Sequence, residues 1–523
     1  MTEYKYPFNL ITQYVIDNYH IDMTRSYEIC EIPARELITY SRFDLMAKWM
    51  YISDKIKGMT TGCGYRVYYD NINAFSCGRF LEPGMDEKNT FAKYVEDFDR
   101  LIEEVQNKGF DAFKSLIPLG ANDDMVDGAH RVSVTAFFDK KVTAIRFPEL
   151  RRYNRYDYVF FRDYLMSDVS MGYMAIQYAH LKDNCFMACL WPKADSDRMD
   201  DVESKLRSIG HIIYAQDVYL TYQGMCNLMA QIYGHQSWTG SIENHFSGVR
   251  GKADACYREN KPIRTYLFEA SDVDLVVEIK RQIREIFQIE NHSIHISDNQ
   301  NETIDMVELL YNRNSVEFLN RADPYKYSKV YNKIRELKEL IERNGYDRSR
   351  FIIDSSAVLE AYGLRQAADL DFLTDYVFEE ENQIEEADNH RSQLPYHNVS
   401  LLEMLYDPKN YFYFEGMKFL APQRLIEMKT NRGEMKDIKD VRMLKKIICK
   451  NLHIPKEYRY QTLDKIHQYQ IAHHLYGEGA YNYEKYKSRI KQDRISKVIS
   501  VVWGSLSAVY HSFFDKYEKR LKR

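Results

Sequence analysis

The chain has 523 residues, 45% hydrophobic and 28% charged, with 22 Gly and 12 Pro. That is apolar material for about three or four ordinary domains, and it excludes disorder or low complexity over most of the length. Seventy-two Lys and Arg against 77 Asp and Glu leave a net charge of -5 and a pI near 6.3, which excludes a charge-driven, whole-surface nucleic-acid binder but not a local basic groove.

The first residues, MTEYKYPFNLITQYVIDNYHID, mix acids with apolar side chains and offer no hydrophobic core of a signal peptide. Eight cysteines with no CxxC and no zinc spacing read as reduced thiols, so a cytoplasmic location is expected. Residues 1–150 are expected to form a first domain. In it, helical periods at Phe43 to Ile56 and Phe91 to Val105 precede a strand, Leu116 to Leu119, then a loop, a helix ending near Asp139 and a second strand, Val142 to Phe147. The loop holds Asp127-Gly-Ala-His-Arg131, where a turn delivers His130 and Arg131 to the start of a helix whose N–H groups suit an anion. The plain alternative is that both simply pair with Asp123 or Asp124.

Residues 151–325 alternate short apolar runs (CFMACLW, HIIYA, TYLFEA, SIHIS) with helical ones, which predicts a central α/β domain with a mostly parallel sheet. The segment Ser247-Gly-Val-Arg-Gly-Lys-Ala-Asp-Ala-Cys carries two glycines and two cations. It reads as a surface connection, with a phosphate-binding loop as the sharper alternative. His292, His295, Asp298 and Glu302 gather metal-ligand types, but a strand turns the two histidines to opposite faces, so they read as core or loop residues.

Residues 326–450 carry the strongest signal, Phe351-Ile-Ile-Asp-Ser-Ser…Ala361-Tyr-Gly-Leu-Arg-Gln-Ala-Ala-Asp-Leu-Asp371. An apolar strand leads into Ser355 and Ser356 at the start of a helix, and a second strand brings Asp369 and Asp371, two apart and therefore on one face. Paired carboxylates suit a hard cation such as Mg²⁺, and small side chains at a helix start let backbone N–H groups approach a phosphate. The acidic run Glu379 to Asp388 reads as a solvated loop or helix face. Residues 451–523 are expected to be helical, with an apolar stripe from Ile495 through Trp503 to Phe513 ahead of a basic end. Docking on the chain's own core is the first reading of that stripe, and peripheral contact with an anionic membrane or a partner is the alternative. No stretch is long and apolar enough to be expected to cross a bilayer.

The segment from Ser355 to Asp371, with the later Lys418-Phe-Leu-Ala-Pro-Gln-Arg-Leu-Ile-Glu-Met-Lys429 and the Arg and Lys-Asp that follow it, resembles the minimal and AbiEii-like members of the nucleotidyltransferase superfamily. The resemblance covers roughly residues 345–450. It implies catalytic, metal-holding Asp369 and Asp371, nucleotide contacts from Ser355, Ser356, Arg365 and Lys429, and an NTP with Mg²⁺ as co-substrate. Ser355 stands where the family has Gly, and Glu403, Asp407 and Glu415 compete for the third carboxylate. The DGAHR segment, with Cys30-Glu-Ile-Pro-Ala-Arg-Glu-Leu upstream, is similar to the ParB/sulfiredoxin-like domain, which implies nucleotide phosphates at Asp127, Gly128, His130 and Arg131. Sulfiredoxin chemistry is not implied, because Ala129 stands where that branch needs Cys. The expectation is a cytoplasmic, bacterial, multidomain transferase acting on an unknown small-molecule, glycan or macromolecular acceptor. The alternatives are a ParB-like small-molecule kinase or NTPase, and a non-catalytic nucleotide-binding scaffold.

Overall fold

The computed structural model describes residues 7–450 and 452, apart from 83, 86, 152, 195 and 379–383. The expected C-terminal helical stripe lies outside the described residues. The chain is a mixed α/β, multidomain structure with three small sheets, each wrapped by helices.

The first sheet joins β1 (Ile29–Pro33), β2 (Ile117–Leu119) and β3 (Lys141–Arg146) in the order β1-β3-β2. β1 runs antiparallel to β3, and β2 runs parallel to it through the helix Ala129–Phe137. Parallel neighbours require such a crossover, so the expected strand, loop, helix, strand unit is present. The helix Phe91–Lys108 begins where the Thr90 hydroxyl accepts the Lys93 N–H, and buries Tyr94, Phe98, Ile102 and Val105 along one stripe.

The central sheet holds β4 (Cys185–Leu190), β5 (Gly210–Val218), β6 (Ile263–Ala270) and β7 (Ile294–Ile296) in the order β5-β6-β4-β7. Every neighbouring pair is antiparallel, which corrects the expected mostly parallel sheet. Each crossover skips a strand: the helix Met199–Ile209 carries β4 to β5 across the place β6 fills, and Val273–Phe287 carries β6 to β7 across β4. This is the split β-α-β-β-α-β arrangement. Every residue of β4 is buried, the pattern usually shown by parallel strands with helices on both faces.

The third sheet has the order β10-β9-β8-β12-β11, from β8 (Phe351–Ile353), β9 (Leu370–Thr374), β10 (Ala387–Asn389), β11 (Tyr411–Phe414) and β12 (Met417–Leu420). β8 pairs antiparallel with β9 and parallel with β12, while β10 adds parallel to the outer side of β9. The acidic run, read as solvated, therefore ends in an edge strand. One hydrophobic cluster runs from Ile32 to Leu444 through all three sheets. Phe318, just before the expected boundary at 325, stacks on Phe412 of β11 at 4.4 Å.

Candidate functional site

β8 is buried at all three residues and delivers Asp354, fully enclosed, to its C-terminal end. The next residue, Ser355, has φ 56° and ψ -128°, a conformation that glycine adopts without strain and serine does not. Ser355 therefore holds a backbone conformation that favours glycine. The Ser355 N–H donates to Asp354 Oδ1 at 2.6 Å. A short helix, Ser356–Ala361, follows, and Gly363 (φ 70°) turns the chain where an added Cβ would sit 2.6 Å from the Asp323 carbonyl oxygen. The return is held by Glu360, buried, whose carboxylate accepts the N–H groups of Ala367 (2.6 Å) and Val330 (2.7 Å). As a result Asp369 arrives beside the turn, accepting from the Ser356 hydroxyl at 3.4 Å.

Asp371 lies on β9, 7% exposed. Burial pushes its carboxyl up to about 6, and Asp369 and Asp354 add to the rise against the pull of His390 and a hydrogen bond from Ser355. Asp354 is in the opposite condition. His390 Nδ1 and His397 Nε2 each stand 3.4 Å from its Oδ2, and they hold it well below the ordinary carboxylate range although burial opposes them. For His390, burial works against protonation, but Asp354 and Asp371 raise its pKa above the usual value. The register sets Asp388 of the edge strand β10 opposite Asp371.

Arg365 and Lys429 are brought together, each against a carboxylate. Arg365 makes a two-pronged pair with Asp440 (2.8 and 2.7 Å), while Lys429, 2% exposed, contacts Asp437 at 3.0 Å and Asp440 at 2.9 Å. Arg432 completes the cluster on Asp437. Arg365 braces the loop before β9, and Lys429 and Arg432 the helix Pro422–Arg432, against the helix Met435–Ile448. The three carboxylates that compete in sequence lie elsewhere: Glu403 caps its own helix at Ser400, Asp407 takes Arg66 at 2.8 Å, and Glu415 accepts from the Tyr325 hydroxyl at 2.8 Å. Asp354, Asp388, His390 and His397 are the members that sequence reasoning missed.

The DGAHR segment lines a separate cleft of about 700 Å³ together with Arg42, Lys48, Lys88 and Lys114. Gly128 has φ 99° and an added Cβ would fall 2.7 Å from Ile117 Cδ1. Asp127, next to it, takes Arg131 at 3.3 Å, whereas Asp123 pairs with Arg146 and Asp124 accepts from Ser41 and Tyr153. His130 Nε2 meets the Tyr68 hydroxyl at 2.8 Å. Burial, with Lys48, Lys88, Arg131 and Arg42 nearby, drives its pKa well down, so the imidazole is neutral. On the floor Asp44 is shared by Arg42 (2.9 Å) and Lys48 (3.0 Å), all three enclosed, which leaves one positive charge in excess.

His295 pairs with Glu302 at 2.9 Å, and His292 Nδ1 lies 3.9 Å from Cys256 Sγ, so the two histidines line one cleft with separate partners. Among the described residues no three His, Cys, Asp or Glu side chains cluster closely enough to hold a metal ion unaided, and no helix is long and apolar enough to cross a membrane. Comparison with family models, curated proteins and solved structures finds no match to this chain.

Proposed function

We propose that the chain is a nucleotidyltransferase-type transferase whose site is the turn and strand from Asp354 to Asp371. The observation that carries the reading is the strained Ser355 turn with Asp369 hydrogen-bonded to it and Asp371 beside it, buried and like-charged with Asp369. Two neighbouring carboxylates with too little positive charge suit Mg²⁺, which is commonly held by one or two carboxylates with water and substrate phosphates completing its shell. Asp369 and Asp371 would hold it. Bound there, the ion would offset phosphate charge.

The protein groups orient the reactants. A hydroxyl of the acceptor attacks the α-phosphorus of an NTP, the bond from that phosphorus to the bridging oxygen breaks, pyrophosphate leaves, and the hydroxyl proton passes to a carboxylate at the site. The acceptor is a small hydroxylated molecule, a glycan or a macromolecule. The second reading, a ParB-like kinase or NTPase, is favoured by one observation, the excess positive charge around the DGAHR cleft.

Labelled NTPs separate the two. Transfer of α-label to an acceptor in Mg²⁺, abolished in Asp369→Asn with Asp371→Asn while circular dichroism is unchanged, supports the first. Transfer or release of γ-label that survives the double substitution and fails in Arg131→Ala supports the second instead.

A further inference from the structure

A cleft of about 480 Å³ opens in the central block, lined by the helix Val249–Cys256, the helix Val273–Phe287 and the turn before β7. Lys252, Lys280 and Arg284 line it against a single carboxylate, Asp298, which is already paired with Lys280 at 2.9 Å. The Arg284 side chain has no hydrogen bond or ion pair among the described residues, and its Nε is closed off from solvent. Enclosing a guanidinium nitrogen without an acceptor is costly. Lys252, the like charge it faces, reaches the Asn291 carbonyl oxygen at 2.5 Å, and burial together with Arg284 lowers its pKa although Cys256 opposes them.

The lining is also aromatic. The rings of Tyr233 and Trp238 lie 5.6 Å apart, with Lys252 Nζ 6.0 Å from the Tyr233 centroid. Trp238 is 44% exposed, so its ring is accessible. Three cations and an accessible indole lining one cleft match a phosphate joined to a planar base, and the volume is that of a small-ligand site.

We propose that this cleft is a mononucleotide-binding site, with the phosphate held by Arg284, Lys252 and Lys280 and the base stacked on Trp238. It stands apart from the Asp369 and Asp371 reading. A nucleic-acid strand offers the same groups, but a cleft of about 480 Å³ has room for one nucleotide.

The test titrates AMP by calorimetry into the full chain carrying Asp369→Asn and Asp371→Asn, so that the outcome does not depend on the proposed transfer reaction. AMP should bind, and adding Arg284→Gln with Lys252→Gln should weaken it at least tenfold, while the melting temperature falls only by what the Lys252 bond to the Asn291 carbonyl contributes, which Lys252→Gln alone measures, since Arg284 leaves no partner stranded. Trp238→Ala should weaken AMP while leaving inorganic phosphate unchanged. Equal AMP affinity with and without the two cations would overturn the site. A single-stranded oligonucleotide that displaces AMP at a lower concentration of nucleotide would overturn the mononucleotide assignment.

Discussion

Ser355 is the residue at which local preference and native conformation disagree. A non-glycine residue at positive φ costs on the order of 1–2 kcal/mol, and the Ser355 hydroxyl returns part of that through its hydrogen bond to Asp371. Ser355→Ala loses the bond and keeps the strain, whereas Ser355→Gly loses both. The glycine variant should therefore be the more stable of the two by about 1 kcal/mol in urea unfolding, and equal midpoints would remove the strain from the account. Asp371 gives a second expectation, in metal-free buffer. Its carboxyl binds a proton more tightly in the folded chain, near 6, than its ordinary value of 3.8. That contribution to stability is complete below about pH 4 and is lost as pH rises through 6. Asp371→Asn, which mimics the protonated form, should melt above the parent at pH 8 and level with it at pH 4. A gap of the same size at both would reject the shift.

Among the elements, local periodicity was legible and adjacency was not. The stripe of Phe91–Lys108 and the strand, turn and helix around Ser355 and Ser356 follow from spacing alone, because each is settled by neighbours within a few residues. The central sheet's strand order depends on which strand fills the gap each crossover leaves, and no window of sequence contains that choice. The site divides in the same way: Asp369 and Asp371 are visible as a pair, but His390 lies 36 residues from the Asp354 it meets and Asp388 is hidden at the end of an acidic run. Lys429 carries the element-scale prediction. It sits between Asp437 and Asp440 with all three side chains at most 3% exposed, but Arg432 stays on Asp437 and Arg365 on Asp440 when it is removed, so neither carboxylate is left alone. Lys429→Met should therefore cost roughly 1–3 kcal/mol of stability. A variant that weakens nucleotide binding with no loss of stability would instead restore Lys429 as a direct nucleotide contact.

At the scale of the whole molecule, the three sheets do not behave as beads on a string. Tyr40 stacks on His211 at 3.8 Å, Phe318 stacks on Phe412, and the half-exposed Arg66 donates at 2.8 Å to Asp407, which is enclosed and also held by Lys409 at 3.1 Å. Each contact joins a different pair of blocks, so opening one block exposes apolar surface belonging to another. Chains of this length usually unfold in stages, but a shared core couples the stages, because the free energy of burying the common surface is lost only once. The described region should therefore unfold in one transition, with circular dichroism and tryptophan fluorescence coinciding along a urea gradient. Arg66→Met removes one clamp, and because Arg66 is half-exposed and Lys409 remains, the loss should be roughly 1–2 kcal/mol. It should shift the single transition as a whole. A second, separate transition appearing in Arg66→Met, with the rest of the curve unmoved, would show that the first block folds by itself.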